Sequence, residues 1–492
     1  MGQSFSTCSS LGRSSKRTPE KEAKHDFFSD TTSGRASSSE TASTTPNDGV
    51  EDGLRPFLAK AKGHYWYTTT GTKILDACGG AGVACIGHGR KDVMKAVASQ
   101  MRRYSYTSYA HFRAQPVVEL EEFLVESTGG KMQRVYLLCS GSEAVESSLK
   151  LAREYFLWVG QPQRVNFIAR WESYHGASLG ALSVGGHVAR RAPFEPLLQQ
   201  GRFGRISPCN PYRQRLTNPD GTVESDDQFV ERKVAELEQE FQRLGPDTVC
   251  AVILEPVVGA ALGCAPAVPG YLRAAKQVCD RHGALLILDE VMSGMGRTGS
   301  LHAWEQEGIV PDLQTIAKGF GGGYQPASAL LVGHKIAGTM KKEGKVFTHG
   351  HTYQNHPVVA AAALKVQSII RDDNLLENVR AQGELLGRLL KERIGEHPNV
   401  GDIRGRGLFW GIEFVRDKTT KQPFDPTLQI ALQVYKTAMQ EMRVLVYTGQ
   451  GCAGNGKGDH IMIMPAYNIS GKLVRELVER VAGAIERVFE RY

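Results

Sequence analysis

The feature that most constrains this chain is a set of short apolar runs, each ending in a polar residue that apolar packing does not need. The clearest pair lies between Ala284 and Gly323 (ALLILDEVMSGMGRTGSLHAWEQEGIVPDLQTIAKGFGGG). Ala284–Leu288 runs into Asp289-Glu290, and Leu313–Ala317 runs into Lys318. Runs of this length bounded by polar or Gly residues suit buried strands of an α/β sheet, and ligands of such sheets sit beyond the carboxyl ends of the strands. Two readings of Asp289 and Lys318 follow. They form a sheet-edge ion pair with no chemistry, or Lys318 carries an aldehyde cofactor as a Schiff base while Asp289 keeps its ring nitrogen protonated.

Other runs repeat the pattern. Val135–Cys139 leads into Ser140-Gly141-Ser142-Glu143, Val165–Ala169 into Tyr174-His175-Gly176, and Thr248–Leu254 into Glu255-Pro256. Between them lie helical patterns, such as Tyr271–His282, so the fold class is α/β with a mostly parallel sheet. Ser140 and Glu143 have capping-box spacing, and Val145, Leu149, Ala152 and Phe156 set the helix after them against a core. A strand–Gly–helix turn of this kind points free N–H groups along the positive end of the helix dipole, which suits a phosphate or serves as an ordinary cap.

Upstream, Tyr65–Ala77 suits a hairpin, and the Gly-rich Cys78–Arg90 leads into helices at Lys91–Arg103 and Pro116–Ser127. Downstream, helices at Pro357–Arg371 and Leu375–Ile394 lead through Arg404-Gly405-Arg406-Gly407 to a strand at Leu408–Val415, with another at Val444–Tyr447. At 492 residues the chain is longer than one core usually supports. The expected division is a tail at 1–52, an N-terminal part of a small domain at 53–103, a large domain at 104–350, and a C-terminal α+β small domain at 351–492.

Residues 1–50 differ from the rest: nineteen are Ser or Thr, without apolar periodicity, and disorder is expected there. MGQSFS fits the N-myristoylation pattern with Gly2 as acceptor, and Cys8 with the nearby basic cluster offers a second anchoring signal. A mitochondrial transit peptide would be acid-poor and helical, whereas this segment carries Glu20 and Glu22 and no clear amphipathic helix. A cytoplasmic location is therefore expected, with membrane contact only if Gly2 is acylated. The net charge of +7 is spread along the chain without a basic stripe, which argues against a nucleic-acid partner. Nine Cys without CxxC spacing read as reduced thiols, neither a disulfide frame nor a metal site.

Seven motifs occur in order: SGSEA (140–144), YHG (174–176), EPVVGA (255–260), LDEV-MSGMGRTG (288–299), AKGFGGGY (317–324), HTYQNHP (351–357) and RGRGLFWGIE (404–413). Together the chain resembles the class III pyridoxal-phosphate-dependent aminotransferases of fold type I, from about Gly63 onward. The resemblance implies pyridoxal 5'-phosphate as cofactor, with Lys318 as the Schiff-base lysine and Asp289 as partner of the pyridine nitrogen. It implies Val291 against one ring face, Tyr174 stacked on the other with His175 beside it, and Glu255 near the cofactor's hydroxyl side. Ser140, Gly141 and Ser142 would cradle the phosphate. Thr352 would reach the phosphate from a neighbouring subunit, so a homodimer with shared sites is implied, and Arg404 would bind a substrate carboxylate. The implied reaction is ping-pong transamination from a primary amine or ω-amino acid to a small 2-keto acid.

Three departures bear on the substrate. Met292 stands where many members have a Gln that donates to the cofactor hydroxyl, and a thioether cannot donate. Ala260 stands where ornithine and GABA aminotransferases have a Glu that pairs with the Arg matching Arg404, so their two-mode gate is not expected here. Gly82 falls where some amine–pyruvate transaminases have Trp, which implies room for a bulkier donor. An aminomutase or a decarboxylating transaminase is the alternative on the same scaffold. A catalytically silent member would be marked by a lost lysine or aspartate, and neither is lost.

Overall fold

The computed structural model describes residues 55–492. The expected disorder of the N-terminal tail, the acylation of Gly2 and the role of Cys8 lie outside those residues. Strands β1 (Leu58–Lys62), β2 (Tyr65–Thr68) and β3 (Lys73–Asp76) form an antiparallel meander that contains the expected hairpin. Next come β4 (Met132–Leu138), β5 (Asn166–Arg170), β6 (Phe203–Ile206) and β7 (Val249–Leu254). A small antiparallel pair, β8 (Val257–Val258) and β9 (Ala265–Pro266), precedes β10 (Leu285–Asp289), β11 (Leu313–Ile316) and β12 (Ser328–Gly333).

The central sheet has the order β4-β12-β11-β10-β7-β5-β6. Five neighbouring strands, from β11 to β6, run parallel, and β12 alone runs against its neighbours β11 and β4. The expected mostly parallel α/β sheet is therefore present. Its pleat sorts the strand residues onto two faces. Leu285 and Ile287 pack with Val145, Leu149 and Phe156 of the helix Gly141–Trp158. Leu286 and Leu288 pack instead with Leu272 and Val278 of the helix Tyr271–Arg281, and with Phe229 and Phe241. Burial on both faces explains why these strands read as continuous apolar runs rather than alternating ones.

Beyond the central sheet, β13 (Val400–Arg406), β14 (Phe409–Phe414), β16 (Tyr447–Gly454) and β17 (Lys457–Ile463) make an antiparallel sheet of order β13-β14-β17-β16. The short β15 (Val444–Leu445) joins the N-terminal meander beside β3. Two elements depart from the sequence reading. Arg404 lies inside β13, not in a loop ahead of the next strand, and the β16–β17 hairpin arises where only a short strand was expected. Gly405 and Gly449 hide these strands from a pattern search, because glycine contributes no apolar side chain to an alternation.

Candidate active site

Strand ends position the side chains. At the end of β10, Asp289 is 4% exposed and its carboxylate is held from three sides. The Val291 N–H donates to Oδ1 at 3.1 Å and Thr315 Oγ1 donates to the same oxygen at 3.1 Å. His175 Nδ1 lies 2.7 Å from Oδ2, and against a carboxylate that nitrogen is the donor. Thr315 is the register partner of Asp289 on β11, so pairing of the two parallel strands itself aligns the clamp. Lys318 follows β11. Its backbone takes φ +47°, a left-handed conformation that an L-residue adopts at a steric penalty of order 1–3 kcal/mol. Burial pushes the Lys318 amine below its ordinary value, against the pull of Asp289 and Glu255, and with a further push from Arg190.

Glu255 follows β7 and bridges two loops. Its Oε1 accepts from the Tyr174 N–H at 3.0 Å and its Oε2 from the Gly259 N–H at 3.2 Å. Burial raises its pKa, with His175 opposing. At the end of β4, Ser140 caps the helix Gly141–Trp158 through the expected reciprocal box with Glu143. The N–H groups of Gly141 and Ser142 lie in the first turn, where no intrahelical acceptor exists, and they open to the cavity. A methyl group on Gly141 would stand 3.0 and 3.1 Å from the two Val291 methyls, so glycine permits this close approach. Ser142 Oγ accepts from the Ala177 N–H at 3.0 Å, tying the turn to the loop that carries Tyr174 and His175.

These side chains line one cavity of about 260 Å³. Nine of the expected residues meet there: Ser140, Gly141, Ser142, Tyr174, His175, Glu255, Asp289, Val291 and Lys318. Val83, Cys139 and Gln325-Pro326-Ala327 complete its wall without having been singled out in the sequence. The last three follow the Gly321–Gly323 run after one intervening residue, Tyr324, and the position of that run after a strand end was the available signal. The His175–Asp289 contact joins residues 114 positions apart, and no local pattern announces it.

An amine, a fixed carboxylate and the mouth of a helix dipole around one cavity are what an aldehyde cofactor with a ring nitrogen and a phosphate requires. A model of the aminotransferase class-III family matches residues 49–485. The chain is a class III aminotransferase. It is 49% identical to an aminotransferase of Gibberella zeae over 85% of this chain and 81% of that protein. It is 34% identical to the putrescine–pyruvate aminotransferase of Pseudomonas aeruginosa over 76% of this chain and 80% of that one. Among solved structures, an amine transaminase from an uncultivated Pseudomonas species, in its PLP-bound form, superposes with a TM-score of 0.81 at 30% identity, covering 93% of this chain and 99% of that one. Class III aminotransferases depend on pyridoxal 5'-phosphate, and the side chains of this aminotransferase suit it. The buried Asp289 presents Oδ2 with only one donor, and the buried His175 Nε2 has no hydrogen-bond partner.

Two expected residues are not in the cavity wall of this class III aminotransferase. Thr352 is exposed, and its carbonyl accepts from Tyr106 Oη at 3.0 Å. Arg404 lies inside β13 among carboxylates. Its Nη1 lies 2.6 Å from Glu413 Oε2 and 2.9 Å from Asp402 Oδ2, and its Nε donates to the Leu262 and Gly263 carbonyls at 3.0 and 3.1 Å. Asp402 and Glu413 are register partners across β13 and β14, so the pairing of two strands surrounds the guanidinium with carboxylates. Its Nε and Nη1 are thus engaged within the protein. Gly82 does not open a pocket either. A methyl group there would meet Met464 Sδ at 3.2 Å and Met292 Cε at 3.9 Å, so two methionine side chains occupy the space a larger residue would take.

Proposed function

We propose that this aminotransferase takes the amino group of a primary amine or ω-amino acid and passes it to a small 2-keto acid. The observation that carries the reading is the single cavity in which Lys318 and Asp289 face the open first turn at Ser140–Ser142. Bound pyridoxal 5'-phosphate supplies a carbonyl that captures amines and a ring that absorbs the electron pair released at the substrate Cα. The side chains do the rest. Asp289, locked by three donors, would hold a proton on the ring nitrogen. Its orientation is set before any ligand arrives, which is the condition for strong electrostatic assistance. Tyr174 and Val291, both in the cavity wall, would bound the two ring faces, and the Gly141 and Ser142 amides would hold the phosphate.

Lys318 Nζ has two tasks. Burial favours its uncharged form, the form that acts as a nucleophile. The same amine would act as the base that moves a proton at the substrate Cα, a transfer that typically accelerates reaction about 10²–10⁴-fold. Glu255 fixes the Tyr174 loop through the backbone and would lie near the cofactor's hydroxyl side, where Met292 would offer no donor.

The donor class rests on side chains that differ from acid-selective relatives. Ala260 offers no carboxylate to hold an arginine gate, and Met292, Met464, Phe409 and Val257 form an apolar cluster beside the cavity. Similarity to a putrescine–pyruvate enzyme supports the same class. We infer a homodimer in which Thr352 of each subunit reaches the phosphate turn of the other. A panel of amines and ω-amino acids assayed against pyruvate and 2-oxoglutarate, following the visible absorption of the bound cofactor, tests the reading. Turnover that needs no keto acid, or that releases CO₂, overturns plain transamination in favour of the mutase or decarboxylating alternative.

A further inference from the structure

With Arg404 enclosed by carboxylates, the cavity has no evident hook for an acidic substrate. Lys318 and His175 are the only basic residues in its wall, and both are engaged in the chemistry proposed above. A second cavity of about 320 Å³ changes this picture. Arg190 lines it together with Ala260, Gln429, Thr448 and Gln450. The guanidinium carbon of Arg190 stands 4.6 Å from the centre of the Tyr174 ring, and Tyr174 lines the first cavity. The arginine and the tyrosine therefore join the walls of the two cavities.

Neighbouring arginines behave differently. Arg191 is buried and donates through Nη1 to the Leu182, Ser183 and Gly185 carbonyls, and Arg205 donates to two of the same carbonyls. Those contacts anchor the short helix Val188–Arg191 and fix where Arg190 emerges. Arg190 is exposed; among the described residues its guanidinium stacks on Tyr174 and makes no hydrogen bond or ion pair, and its charge is felt at the neighbouring His187. Stacking uses one face of the guanidinium and leaves the N–H groups at its edge free for a planar anion. Among the described residues, no carboxylate lines the second cavity to compete for it. Its charge also reaches the reacting amine: after burial, Asp289 and Glu255, Arg190 is the remaining influence on Lys318.

We propose that Arg190 is the specificity residue that binds the carboxylate of an anionic substrate, held over the Tyr174 ring at the junction of the two cavities. The inference rests on the transaminase reading above and deepens it by naming the group that reads substrate charge. A carboxylate received by a guanidinium edge through charge-assisted hydrogen bonds changes affinity by about 10- to 100-fold. The anion is carried by an ω-amino acid donor or by the keto acid, and both sources are compared in the test.

Holoenzyme of the wild type, Arg190→Gln and Arg190→Lys is assayed with 4-aminobutyrate and with butylamine, which differ by the carboxylate, at fixed pyruvate. In Arg190→Gln the ratio of kcat/KM for 4-aminobutyrate to that for butylamine falls by about 10- to 100-fold, expressed in KM, and Arg190→Lys recovers part of it. Repeating the comparison with pyruvate against 2-oxoglutarate locates the anion on the acceptor if the donor ratio is unchanged. Calorimetric titration of glutarate into the same holoenzymes reads binding without turnover, and Arg190→Gln weakens it by a similar factor. Unchanged donor and acceptor ratios together with unchanged glutarate binding overturn the assignment. A wild type that turns over neither amine overturns the donor reading instead, and the glutarate comparison then decides Arg190 alone.

Discussion

Replacing Asp289 separates the scaffold role of a buried carboxylate from its chemical role. Asp289→Ala removes the acceptor for the Val291 N–H, Thr315 Oγ1 and His175 Nδ1 together. A buried donor left unpaired costs roughly 1–3 kcal/mol, and neighbouring losses are not additive, so about 3–5 kcal/mol is expected for the cofactor-free protein. Asp289→Asn keeps an oxygen for the first two donors. Its amide then faces His175, which can accept at Nδ1 by moving its proton to the presently unpartnered Nε2, so the loss is about 1 kcal/mol. Catalysis responds in the opposite proportion. Two unit charges about 4 Å apart interact by about 4 kcal/mol at an effective dielectric of about 20, and the neutral amide forfeits most of that, roughly 10³-fold in rate. Urea unfolding of the cofactor-free proteins and single-turnover half-reactions of the loaded ones measure the two quantities. Equal destabilisation by Ala and Asn, or an Asn variant keeping more than about a tenth of the wild-type rate, refutes the reasoning.

Other residues give sharper single tests. Lys318→Met should abolish borohydride fixation of the cofactor together with turnover. Because the buried amine titrates below the ordinary lysine value of about 10.4, the unfolded chain binds the extra proton, and stability of the cofactor-free wild type relative to Lys318→Met should rise as pH increases toward that value. Burial raises Glu290 to about 8, above the usual carboxylate range, so its contribution to stability is present in acid and declines as pH rises toward 8. Denaturant midpoints across that range should lose this decline in Glu290→Gln. Gly141→Ala drives a methyl against Val291 beside the phosphate turn, and cofactor affinity should fall by about tenfold on equilibrium titration, with little change in cofactor-free stability. Arg404→Leu takes one of two arginine partners from the fully buried Glu413, leaving Arg213 Nε on Oε1 at 2.6 Å, and should destabilise the protein by about 1.5–3 kcal/mol on denaturation rather than raise KM selectively.

Sequence made the catalytic strand ends legible because Asp289 and Lys318 interrupt apolar runs that would otherwise need no charge. The capping box at Ser140 was legible for the same reason: helix termini demand local partners. Arg404 was not, since its partners Asp402 and Glu413 come together only when β13 pairs with β14, and the RGRG spacing looks the same with or without them. The open space inferred at Gly82 failed similarly, because Met464 fills it from a strand end nearly four hundred residues away in sequence. Arg190 carried no signal in a four-residue helix without periodicity, and its meaning depends on the Tyr174 ring beneath it. Short-range chemistry can be read from the chain, whereas pairings across strands and between loops need the assembled sheet.

The sheet order has a consequence for how the enzyme comes into being. Ser140, His175, Glu255, Asp289 and Lys318 each leave a different strand, and β12, which lies between the strands of Ser140 and Lys318, is made after all of them. A nascent chain released just past Lys318 would own every one of these residues and still hold them apart. Cofactor capture, visible as colour, thus reports that the last strand of the central sheet has been inserted into its middle, and it gives a clock for completion of that sheet.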